Sequence, residues 1–135
     1  MSTPRPAPAL VPALLLYAAA SLFHHVHNAT DLADYPNLPA WLTPAKVYLA
    51  WAAVTAVGLC GYLLQRRGRS AGLALIGAYA ALGLAGLEHY ARAPLAAHSA
   101  MMNLSILTEV GAALVLLAVV AAHALPRARR PRARA

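Results

Sequence analysis

Four apolar runs, each close to the roughly 20 residues needed to cross about 30 Å of hydrocarbon, constrain this chain more than any other feature. They cover approximately residues 9–27, 44–64, 70–91 and 97–125. Such runs cannot all be hidden in the core of a 135-residue soluble domain. The composition agrees: 61% of residues are apolar and 11% charged, against about 25% charged in an ordinary soluble domain. The sequence therefore predicts an all-α integral membrane protein, an antiparallel up-down bundle of four transmembrane helices. Residues 1–126 form the single transmembrane domain and residues 127–135 a basic tail.

The connections support this order. Thr43 is a suitable N-cap, followed by Pro44 at the first helical position. The second and third connections, "QRRGRS" and "RAPLAA", are short enough to force hairpins. The first, "NATDLADYPNLPAWLT", is longer, and Pro36 and Pro39 forbid a continuous helix through it. Direction follows from the basic residues. Arg5, Arg66, Arg67, Arg69, Arg127, Arg129, Arg130, Arg132 and Arg134 fall on one side of a four-span layout. Only Lys46 and Arg92 fall on the other. The positive-inside rule then places both termini in the cytoplasm and the 28–43 and 92–97 connections outside. Tyr35, Trp41, Tyr48 and Tyr90 lie where an outer aromatic belt is expected. Heavy use of Ala, Arg and Pro suggests GC-rich bacterial DNA, hence an inner, cytoplasmic membrane.

Several function classes drop out. The net charge of +7 is bunched beside apolar runs, so it carries topology and not nucleic-acid binding. Cys60 is the only cysteine, which rules out an intrachain disulfide and a thiolate metal cage. The first run continues past its small-residue segment to Val26, unlike a cleaved signal peptide. No nucleophile elbow, phosphate loop or HExxH motif is present.

The polar residues are strongly one-sided. Five of six histidines, His24, His25, His27, His89 and His98, lie at the outer ends of the first, third and fourth runs. Asp31, Asp34 and Glu88 join them, while Glu109 lies deep in the fourth run. Helical spacing puts His24, His27, Asn28 and Asp31 on one stripe, provided that the helix continues to about Tyr35. A second stripe holds His98, Met102, Ser105 and Glu109. His25 points about 100° away from His24 and is assigned to the interface. Tyr17, Thr55 and Tyr79 fall near the depth of Glu109.

The leading expectation is a metal ion (zinc, copper or iron) held by His24, His27, Asp31, His89 and His98. Asn28, Glu88, Ser105, Glu109, Tyr17, Thr55 and Tyr79 would be the surrounding polar groups. A second expectation is haem b between facing histidines, in a haem- or quinone-linked electron-transfer subunit. A third is a proton or cation transport component using Glu109, which at this size would require a homo-oligomer or larger membrane complex. The bland alternative is a structural accessory protein in which Glu88 merely pairs with Arg92 at i, i+4. The lipid bilayer is the expected partner in every case.

Overall fold

The computed structural model describes residues 9–128, all of whose regular elements are helical. Arg5 and the tail arginines from Arg129 onward, which carry much of the orientation argument, lie outside the described residues. Helix α1 spans Leu10–Thr30, α2 Pro44–Arg66, α3 Ala71–Leu82, α4 Glu88–Arg92 and α5 Ala100–Ala128. Between α3 and α4 the chain tightens into a 3-10 segment, Gly83–Leu87, so the third run is one span, Ala71–Arg92, of mixed pitch. Among the described residues, four helices are long and apolar enough to cross a membrane.

Local chemistry sets the ends. Thr43 is extended (φ −128°) and its hydroxyl accepts from the Lys46 amide, with Pro44 at the start of α2. The continuation of α1 to Tyr35 does not occur. The Thr30 hydroxyl lies within hydrogen-bond reach of the Val26 and His27 carbonyls, bonding back onto the last turn. The chain then turns at Asp31, whose amide donates to His27. It bends again at Asn37, in the left-handed region (φ 58°), and the Asn37 side chain donates to the Arg92 carbonyl at 2.9 Å. The long connection is thereby tied to the end of the third span.

Helix α1 packs chiefly on α5, and α2 chiefly on α3. Small residues permit the α2–α3 approach: Gly58 faces Tyr79, Gly61 faces Ile76, and Gly72 faces Gln65. Numbering therefore rises along one helix as it falls along the other. Leu10, Tyr17, Ile76 and Leu116 fill one core, and Tyr35, Met102, Ile106 and Val110 a second one nearer the histidines. The outward faces are apolar too, with Leu15, Leu49, Leu59, Leu104 and Leu114 all exposed. Helix α2 buries only Val47, Gly58, Gly61 and Gln65. An apolar exterior of this extent suits lipid and not water.

Candidate functional site: a histidine, tyrosine and glutamate cluster

Glu109 is the deepest carboxyl in the molecule, 3% exposed on α5. Two imidazoles from consecutive residues of α1 flank it. His24 Nε2 lies 3.7 Å from one carboxylate oxygen, and His25 Nδ1 lies 3.7 Å from the other. His25 is therefore not an interfacial residue. A 100° step along the helix moves it from one side of the Glu109 carboxylate to the other, rather than out to the headgroups. Its Nδ1 also donates to the Ser21 carbonyl at 2.9 Å. Of the residues expected around Glu109, Tyr17 lines the same cavity. Tyr79 packs against Tyr17 with ring centroids 4.5 Å apart. Thr55 sits with Tyr79 in a separate α1–α2 groove.

The larger surprise is Tyr35. Expected in the aromatic belt, it is 3% exposed. The turn after Thr30 folds it back beneath the connection, where its ring lies 4.9 Å from that of His89, 5.8 Å from His27 and 6.5 Å from His98. Its hydroxyl meets His27 Nδ1 at 3.0 Å and Ser105 Oγ at 3.4 Å. Burial raises the Tyr35 phenol above its ordinary value near 10, so at neutral pH it is a hydroxyl that both donates and accepts. Trp41 and Tyr48 do remain exposed, as a belt would be.

The five histidine and aspartate positions expected to share one ion divide around this ring. His24 and His89 approach within 5.4 Å by ring centroid, and His89 and His98 within 6.2 Å. His27 faces Asp31, 3.6 Å away, at the exposed edge. Asn28 donates to His89 Nε2 at 3.3 Å, which leaves the proton of a neutral His89 on Nδ1. His98 donates from Nδ1 to the Pro94 carbonyl. Among the described residues, no three His, Cys, Asp or Glu side chains are arranged to hold a metal ion. Glu88 stands apart, its side chain 70% exposed and 3.9 Å from Arg92. It is a surface ion pair and not part of the pocket.

Ser105 joins the two halves. Its hydroxyl donates to the Met102 carbonyl at 2.9 Å, so its lone pairs receive His24 Nδ1–H (3.3 Å) and the Tyr35 hydroxyl (3.4 Å). A neutral His24 then turns the lone pair of Nε2 toward Glu109. The result is a row of exchangeable groups, Asp31, His27, Tyr35, Ser105, His24 and Glu109, hydrogen-bonded from His27 to His24 and separated by 3.6 and 3.7 Å at its two carboxylate ends. It runs from a carboxylate that is 44% exposed to one that is 3% exposed. Every internal member can accept a proton on one side and release one on the other. Sequence reasoning missed Tyr35 and His25. The two prolines show that the connection is not one helix, but α1 already ends at Thr30, and no sequence signal marks the inward turn that buries Tyr35.

Comparison with protein-family models, curated proteins and solved structures finds no match to this chain.

Proposed function

We propose that this is a bacterial inner-membrane protein, an up-down four-helix bundle with both termini cytoplasmic, that moves protons between its outer face and Glu109. The observation that carries this reading is the hydrogen-bonded run His27, Tyr35, Ser105, His24, with Asp31 3.6 Å from one end and Glu109 3.7 Å from the other. An incoming proton on His27 Nδ1 passes to the Tyr35 oxygen as the Tyr35 proton passes to Ser105. The relay starts from the other His24 tautomer, protonated on Nε2, with the Ser105 hydroxyl turned from the Met102 carbonyl to His24 Nδ1; the Ser105 proton passes to Nδ1, and the proton on Nε2 passes to the Glu109 carboxylate. One proton has moved, and only His27 and Glu109 have changed charge. The His24 that results carries its proton on Nδ1, facing Ser105, which is the arrangement the Ser105–Met102 hydrogen bond requires. Intramembrane carboxyls reached through histidine and hydroxyl groups are the usual parts of proton pathways.

A rapid pH jump on the reconstituted protein tests this. The infrared carbonyl band that disappears in Glu109→Gln reports protonation of Glu109. Tyr35→Phe removes one hydroxyl from the chain and should slow its appearance about tenfold or more, equivalent to about 1.4 kcal/mol of barrier, with the same end point. An unchanged rate would refute the relay. In liposomes, a pH-driven flux that survives Glu109→Gln would exclude a transport role.

A metal ion or haem b is the second reading, favoured by the contiguous rings of His24, His89 and His98. Stoichiometric metal or a Soret band in purified protein, lost in His24→Ala/His89→Ala, would put it ahead of the relay.

A further inference from the structure

Beside Glu109 the bundle holds a cavity of about 260 Å³, lined by all four spans. For comparison, a dry cavity of roughly 150 Å³ accommodates one benzene molecule. Two observations show which chemistry this one suits. The first is its unmatched polar content. Asn28 Oδ1, the Tyr17 hydroxyl and His89 Nδ1 are buried without a hydrogen-bond partner, and all three residues line the cavity together with Glu109. Buried polar atoms are normally paired, so orphans gathered at a cavity point to a missing ligand. Counting sites, the two Glu109 oxygens, Asn28 Oδ1 and His24 Nε2 all accept, Tyr17 does either, and only His89 Nδ1 is a committed donor. No lysine or arginine lines the space. An anion would meet the Glu109 carboxylate uncompensated, whereas a donor-rich cation would satisfy it.

The second observation is the position of the mouth. Ala50 of α2 and Leu82 and Ala85 of the third span line the cavity and are exposed on the apolar exterior. These exposed lining residues lie between helices, on a surface suited to lipid. Val54 and Leu82 offer apolar contact to the body of a guest. The Tyr17–Tyr79 pair begins the core adjoining the cavity, with aromatic faces of the kind that attract cations.

We infer that this cavity binds a small lipophilic amine that enters sideways from the bilayer, seating its ammonium group on Glu109 and Asn28 and its hydrocarbon body against Val54 and Leu82. This goes beyond proton movement and rests on the cavity, not on the Tyr35 chain. The volume limits the guest to about one aromatic ring with a short side chain.

The test uses full-length protein in lipid nanodiscs, with 2-phenylethylamine as the probe and 2-phenylethanol as its uncharged counterpart. Equilibrium dialysis against empty nanodiscs separates site binding from partitioning. The expected result is saturable 1:1 binding of the amine and none of the alcohol. Glu109→Gln should weaken amine binding by roughly tenfold or more, the range for a lost charge-assisted hydrogen bond. Ala85→Phe lies on the exposed rim, where a larger side chain blocks the mouth without crowding the core, and should also abolish binding. Glu88→Gln, which removes an exposed carboxylate away from the cavity, should bind as the parent does. Equal retention of amine and alcohol, unsaturable uptake, or binding that survives Ala85→Phe would overturn the proposal.

Discussion

Tyr35 shows how much a single side chain can decide. By composition it belongs at a headgroup boundary, where amphipathic rings are common. Its burial instead gives His27 and Ser105 a shared hydroxyl, and it puts an aromatic ring in the space among His27, His89 and His98 where an ion was expected. Burial has a further consequence in alkali. The folded protein disfavours the phenolate, so the Tyr35 phenol titrates higher when folded than when unfolded. The stability it contributes is complete below about pH 10 and is lost as pH rises from there through the raised folded value. Tyr35→Phe should flatten this alkaline decline in thermal unfolding of detergent-solubilised protein, even if it lowers stability at neutral pH. A decline of unchanged slope would mean that the phenol is in contact with water. His25 follows similar logic. Helical phase alone separated it from His24, but a carboxylate has two oxygens, and the two neighbours take one each. Phase identifies faces, and it does not reveal that a single buried group can be wide enough to serve both.

The helices themselves were legible in the sequence because bilayer length and apolar run length are the same quantity. The Thr43–Pro44 start also stands as read, and the second stripe holds in part: Met102, Ser105 and Glu109 are buried on α5, while His98, also buried, is extended and precedes the helix. The α1 stripe held only in part, since His24 and Asn28 are buried while Asp31 lies past the helix end. What the sequence could not express is how closely the helices meet. A Cβ on Gly72 would press on the Gln65 backbone and the Gly61 carbonyl, whereas Gly111 has open space around it. Gly72→Ala should therefore cost about 1–3 kcal/mol through forced separation of α2 and α3. Gly111→Ala should be neutral or gain up to about 1 kcal/mol from helix propensity. Comparing the two melting temperatures in one detergent isolates packing from propensity, and a Gly72→Ala protein that melts with the parent would show that the contact is absent.

At the scale of the whole molecule, four helices long and apolar enough to cross a membrane, with apolar outer faces, are compatible with a lipid-facing protein. The proposed orientation makes a direct prediction. In a Cys60→Ala background, Ala33→Cys should react with an impermeant thiol reagent added to intact cells, while Ser70→Cys should react only after the membrane is permeabilised. The opposite pattern would invert the assignment. It would also turn the proton entrance toward the cytoplasm. The one-sided distribution of His and Asp was plain in the sequence. The sharing of those groups between the Tyr35 network and a cavity between the helices was not, because it depends on the first connection folding inward against the third span.

The Asn37–Arg92 tie that holds this connection down has a bearing on hydration. With the connection closed, Tyr35 fills the gap between His27 and Ser105, and the proposed proton path runs through its phenol. Removing the ring entirely would leave a hole bordered by His27, Ser105 and the unpartnered Nε2 of His98, polar enough to hold water molecules. Tyr35→Ala should thus restore, through an internal water wire, the proton entry that Tyr35→Phe blocks. The smaller side chain would conduct and the larger one insulate, because wetting and not chemistry would then govern the path.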